Sequence, residues 1–136
     1  MRIVIAEPAY IAKIVAFFQE NLDPNSIEIY SEEFVCPLGI QAAIRRKQMV
    51  VALVDGRVVG ASRFYRKKTA NTISLYQFAV CTEFRGTGIL KKMLLFIMDA
   101  PVVVLCPVAS DLNNYFLKTD WMLQKKTNDF NTWVFQ

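Results

Sequence analysis

Between Val80 and Lys92 the chain reads VCTEFRGTGILKK, a joint where a strand-like run, TISLYQFAV, ends and an apolar helical run, ILKKMLLFIMD, begins. Two of the five glycines, Gly86 and Gly88, stand one residue apart in this joint. The run after it is apolar on nearly every side, so the helix is expected to be buried against a sheet, which restricts the chain to layered α/β folds. A helix begins with about four unpaired backbone N–H groups and roughly half a positive charge. A loop without side-chain bulk at that point is therefore a ready site for a phosphate. Lysines in a first turn are repelled by the helix dipole, at a few tenths of a kcal/mol each, unless an anion reverses the sign. Arg85, Lys91 and Lys92 thus favour an anionic, polyphosphate-type ligand; a plain tight turn beside a solvated basic face is the alternative reading of the same residues.

The remaining periodicities predict one domain over residues 1–136. RIVIAE is a short strand, and Ile11, Ile14, Val15, Phe17, Phe18 and Leu22 recur at helical spacing from Ala9 to Leu22, where Asp23-Pro24-Asn25 ends the pattern. A second helix is expected from Ser31 to about Lys47, interrupted at Pro37 and Gly39. MVVALV, Asp55-Gly56 and RVVGASRFYR form a hairpin signal, because a tight type I′ turn needs positive φ and Gly supplies it. TISLYQFAV is the third strand of this meander. After the glycine loop and its helix come the strand PVVVLCPV, a short helix in SDLNNYFLKTD, and a closing hairpin around Asn128-Asp129. The predicted order is β-α-α-β-β-β-α-β-α-β-β, a mixed α/β domain with a mostly antiparallel central sheet flanked by helices.

Composition narrows the class. Hydrophobic residues make up 54% of the chain and charged residues 21%, so it is globular. No apolar run reaches the ~18 residues of a membrane span, and the opening MRIVIAEPAYIAK breaks at Glu7-Pro8 too early for a signal peptide. A cytoplasmic, membrane-free protein is the expectation. Cys36, Cys81 and Cys106 are odd in number and widely spaced, and there is no histidine, which argues against a disulfide framework and against metal ligation. The net charge of +4 is unevenly spread: from Ile14 to Ile44 there are five acids, Glu20, Asp23, Glu28, Glu32 and Glu33, and no Lys or Arg. Runs such as Arg66-Lys67-Lys68 and Arg45-Arg46-Lys47 are too short and isolated to predict a nucleic-acid surface.

Two familiar phosphate loops do not fit. The nucleotide-triphosphatase loop needs Lys and then Ser or Thr after its last glycine, and here Gly88 is followed by Ile89. The dinucleotide fingerprint needs a third glycine where this chain has Lys91. The run from Phe78 to Leu90 instead resembles motif A of the GNAT superfamily of N-acetyltransferases, whose core is Arg or Gln, two variable residues, Gly, one variable residue, and Gly or Ala. The element order is similar to that fold along essentially the whole chain. The resemblance implies acetyl-CoA, or another acyl-CoA, as cofactor. It implies that Phe78, Ala79 and Val80 present main-chain groups to the thioester and pantetheine. It further implies that Arg85, Gly86, Thr87, Gly88, Ile89, Leu90 and Lys91 cradle the pyrophosphate.

The chain departs from the family pattern at four places. Leu90 stands where the family has Gly or Ala, Phe116 where many members carry a general-acid tyrosine, Ser74 where histone-type members carry a glutamate base, and Ala109 where many have asparagine. Tyr115 neighbours the vacant acid position but points about 100° away on a helix. Tyr76, Tyr115 and Ser74 are therefore the candidate catalytic residues. Glu28, Glu32, Glu33 and Cys106 are the candidate contacts to a cationic acceptor, a small amine or a protein amino group. The expected activity is direct transfer of an acetyl group from acetyl-CoA to an amine. The rival is an acyl-CoA-binding sensor or interaction module without turnover, motivated by Phe116, Ser74 and Leu90. A homodimer paired through the C-terminal strand is a further expectation.

Overall fold

The computed structural model describes residues 1–22 and 36–136, so Glu28, Glu32, Glu33 and the predicted helix start at Ser31 lie outside the described residues. The elements are β1 (Arg2–Ile5), a 3-10 turn (Pro8–Tyr10), α1 (Ile11–Asn21), α2 (Pro37–Arg45), β2 (Met49–Val54), β3 (Arg57–Lys67), β4 (Thr72–Val80), a second 3-10 turn (Thr82–Phe84), α3 (Ile89–Ile97), β5 (Val102–Pro107), α4 (Leu112–Lys118), β6 (Met122–Lys126) and β7 (Phe130–Phe135). The strands form one seven-stranded sheet in the order β1-β2-β3-β4-β5-β7-β6. The β2–β3 hairpin turns as expected: Asp55 and Gly56 both take positive φ, 49° and 77°. The stretch before Cys36 lies outside the described residues; Cys36 is extended and α2 starts at Pro37, and the expected interruption at Gly39 is corrected, since the helix runs through it to Arg45. Proline can open α2 because its missing N–H falls in the first turn, where no intrahelical partner is needed.

The helices lie on both faces of the sheet, and β3 shows how. Successive residues of a strand point to opposite faces. Ser62 directs its hydroxyl to the Met93 sulfur of α3 at 3.8 Å. A Cβ added at Gly60 would lie 2.8 Å from Ile89 Cγ2 and 3.2 Å from Met93 Cε, whereas one added at Gly39 of α2 would lie 3.3 Å from the Arg63 guanidinium. Even-numbered residues here face α3, and Arg63 faces α2. Gly60 thus lets the first turn of α3 lie directly on the sheet. Gly60→Val is expected to destabilise the fold by about 1–3 kcal/mol through overpacking, read as a lower urea midpoint at unchanged slope.

All the sheet neighbours run antiparallel except β4 and β5. That parallel pair is registered only at Ile73↔Val102 and Ser74↔Val103, preceded by the hydrogen bond from Ile73 N–H to the Pro101 carbonyl. Beyond Ser74 the two strands have no registered partners across the junction, and the sheet opens there. β5 is instead held by β7 along its whole length, from Val102↔Phe135 to Pro107↔Phe130. α3 packs against the sheet as expected, through one face only. Ile89, Leu90, Met93, Leu94 and Ile97 are buried, while Leu95 and Phe96 are more than half exposed.

Candidate active site

Where β4 leaves β5, a cleft of approximately 870 Å³ opens. Gln77, Phe78, Ala79 and Val80 of β4 line it, with the loop residues Phe84, Arg85, Gly86 and Gly88 and the first turn of α3. Tyr115, Lys118, Thr119, Asp120 and Trp121, from α4 and the turn after it, line it too, as do Phe135 of β7 and the end of α1 at Asn21 and Leu22. Of the ten residues assigned to the cofactor from the sequence, nine line this cleft: Phe78, Ala79, Val80, Arg85, Gly86, Gly88, Ile89, Leu90 and Lys91. Thr87 does not; its hydroxyl donates to the Phe84 carbonyl at 2.5 Å and closes the turn.

The glycines answer to backbone shape. Gly86 and Gly88 take φ of 78° and 81°, in the left-handed region, and a Cβ on either would meet nothing within 4 Å. The loop is therefore built for positive φ beside open space. Gly88 is the N-cap of α3 and supplies no side-chain hydrogen bond to the helix; the first turn holds no acid. The first i to i−4 bond runs from Lys92 N–H to the Gly88 carbonyl at 3.0 Å, so the N–H groups of Ile89, Leu90 and Lys91 precede the helical ladder. Arg85 folds back and donates from Nε to the Val80 carbonyl at 3.1 Å, tying the loop to the end of β4. Leu90, the departure from the family pattern, is 5% exposed and packs into the core cluster, leaving the cleft open.

Ahead of the loop, Arg57 and Glu83 form an exposed ion pair at 2.9 Å. The hydrogen bond and charge of Arg57 hold the Glu83 carboxyl below the usual carboxylate range. The small contribution this makes to holding the turn is present at neutral pH and lost as pH falls through that lowered value.

Of the three catalytic candidates, one borders the cleft. Tyr115 lines it and is 38% exposed, whereas Phe116, in the place where the family's tyrosine was expected, is 1% exposed. Phe116 is enclosed by Phe78, Trp121 and Trp133, with ring centroids 6.3, 4.9 and 5.9 Å away. Partial burial, and then the charge of Asp120, raise the Tyr115 phenol above its ordinary range, so it stays protonated at neutral pH. Tyr76 and Ser74 are not among the lining residues. β4 carries one extra residue at Tyr76, because Arg63 pairs with Gln77 and Phe64 with Leu75. The bulge aims the Tyr76 ring at the Arg63 guanidinium, 4.5 Å from its centroid. Cys106 is 2% exposed in β5 opposite Asn131, again outside the lining. Among the described residues no group of His, Cys, Asp or Glu could hold a metal ion, and no described helix is long and apolar enough to cross a membrane.

Sequence reasoning missed Lys118, Asp120 and Trp121. Trp121 is 6% exposed and packs edge-on against Phe116 and at a tilt against Phe135, which sets the turn that carries Asp120 against α3. Only the packing of α4 against β7 brings that turn to the loop. Asn113 fixes the same region: it accepts from Trp133 Nε1 at 2.9 Å and from Asn131 at 3.0 Å and donates to the Pro107 carbonyl at 2.8 Å.

Solved acetyltransferases share this fold. PaiA N-acetyltransferase from Thermoplasma acidophilum, solved with coenzyme A, is 13% identical over 99% of this chain and 98% of its own, with a TM-score of 0.74. YncA of Salmonella typhimurium, solved with its cofactor acetyl-CoA, is 18% identical over 100% and 93%, with a TM-score of 0.68. Diaminobutyrate acetyltransferase EctA from Paenibacillus lautus, solved with L-2,4-diaminobutyric acid and coenzyme A, is 17% identical over 98% and 92%, with a TM-score of 0.64. No curated protein matches the sequence. Residues 14–100 match the model of the acetyltransferase (GNAT) family, and the chain belongs to that family.

Proposed function

We propose that the chain is an N-acetyltransferase that moves an acetyl group from acetyl-CoA, or a related acyl-CoA, directly to an amine. The observation that carries this reading is the single cleft running from the open edge of β4 to the uncapped start of α3. Family membership and the coenzyme A complexes of its structural neighbours support it. The diphosphate takes the N–H groups and dipole at the start of α3, with Arg85 and Lys91 beside it. The pantetheine lies along Phe78 to Val80, where alternate main-chain groups of a strand point to its open edge.

A neutral amine attacks the thioester carbonyl, the C–N bond forms, and the C–S bond breaks as the tetrahedral intermediate collapses. Holding the two reactants in line lowers the barrier by several kcal/mol, and a main-chain N–H on the oxyanion supplies ~3 more. The proton lost by the amine nitrogen must reach the departing thiolate. Tyr115, a lining phenol that is protonated at neutral pH, relays it, giving its phenolic proton to sulfur and regaining one from nitrogen, so no tyrosinate persists.

Acetyl-CoA at about 100 times its dissociation constant should stabilise the protein by ~2.7 kcal/mol, a rise in Tm on the order of 5–10 °C. Thermal unfolding with and without the thioester reads this, and thiol release with a panel of polyamines, amino acids and peptides reads turnover. No shift at any concentration rejects the cofactor; a shift with no thiol released across the panel favours the sensor module.

A further inference from the structure

Asp120 gives and takes no proton in the reaction just described, yet it faces the same cleft. It sits in the turn between α4 and β6, next to the buried Trp121 that packs on Phe116 and Phe135. Opposite it, Lys91 rises from the first turn of α3, and the Lys91 ammonium donates to Asp120 Oδ2 at 2.7 Å. Each partner is fixed to a separate element and both line the cleft, so the pair spans it from the start of α3 to the turn after α4. The Lys91 ammonium stands where the helix dipole disfavours a cation, and Asp120 relieves that repulsion. An anion arriving at the helix start relieves it equally well and is itself repelled by the carboxylate. Two anions then contend for one ammonium.

We propose that Asp120 sets the affinity of the cleft: its carboxylate holds Lys91, must release it to the diphosphate of the acyl-CoA, and so weakens ligand binding and speeds product release. The inference rests on the acyl-CoA reading of this cleft. The side chains of the pair are 54% and 62% exposed, so the fold gains little from it, and its removal should register in binding rather than in folding. Arg85 and Lys118 also line the cleft, which keeps it attractive to anions when Lys91 is otherwise engaged.

The test is calorimetric titration of coenzyme A into wild type, Asp120→Asn, Asp120→Glu, Lys91→Gln and the Asp120→Asn/Lys91→Gln pair at one low ionic strength. Asp120→Asn is expected to tighten the Kd about 3- to 10-fold. Asp120→Glu is expected to restore wild-type affinity, and the gain from Asp120→Asn should shrink toward about twofold when Lys91 is absent. A merely structural role predicts the reverse, since disturbing the turn weakens binding. Unchanged or weaker binding by Asp120→Asn, with wild type still binding, overturns this inference alone. No binding by wild type or any variant overturns the cofactor reading and this inference with it.

Discussion

Tyr115→Phe is expected to lower kcat by about 10²-fold while leaving the KM for acetyl-CoA within about twofold. The substitution removes one oxygen and keeps the ring, whose edge contact with Phe116 at 5.5 Å holds it in place. Folding and cofactor binding should therefore survive. Proton delivery to the thiolate should not. A phenol held above its ordinary range by burial and Asp120 is a poor permanent donor but a serviceable relay, because the proton it gives up is replaced from the amine in the same event. Steady-state kinetics with a fixed acceptor decide the matter: an unchanged kcat would mean that solvent or the acceptor protonates the sulfur, and Tyr115 would revert to a wall of the cleft.

One residue further on, the expected effect moves from rate to stability. Phe116→Ala should cost about 3–5 kcal/mol, a large share of the 5–15 kcal/mol by which domains are held folded. Phe116 is 1% exposed and is ringed by Phe78, Tyr115, Trp121 and Trp133, so truncation leaves a cavity whose aromatic walls cannot close. Urea unfolding reads the loss, and a cost under about 1 kcal/mol would show that the cluster repacks. The two neighbours thus divide the work: the side chain pointing inward unites β4, β7 and the turn after α4, and the one pointing outward faces the reactants.

The order of elements was legible because each carries its own period or punctuation. Asp55-Gly56 names its turn through positive φ, the alternation of β4 survives in its burial, and the two glycines mark the helix start. Nine of the ten residues proposed to hold the cofactor were readable as lining of the cleft, since they lie in two nearly contiguous runs beside the glycine loop. The far wall of the cleft was readable only at Tyr115. Its residues come from α4, β7 and the turn after α4, which meet the loop only through packing. The bulge that turns Tyr76 away from the cleft depends on how β4 pairs with β3, and no feature of TISLYQFAV announces it. Gly39 misled for a different reason: glycine weakens a helix without having to end it, and α2 carries it in its interior, where a Cβ would crowd Arg63.

The two-residue seam between β4 and β5 has a bearing on how the molecule breathes. The sheet consists in effect of a four-strand block and a three-strand block, β5-β7-β6, each laced internally by antiparallel ladders and joined by little main-chain bonding. Cooperative units that share few backbone bonds part at lower free energy than either melts. The rings around Phe116, reaching from Phe78 on one block to Trp133 on the other, supply side-chain contact across the seam where main-chain bonding is sparse. The cleft is lined from both blocks, by Gln77 to Val80 on one and Phe135 on the other, so the proposed acyl-CoA would bridge them.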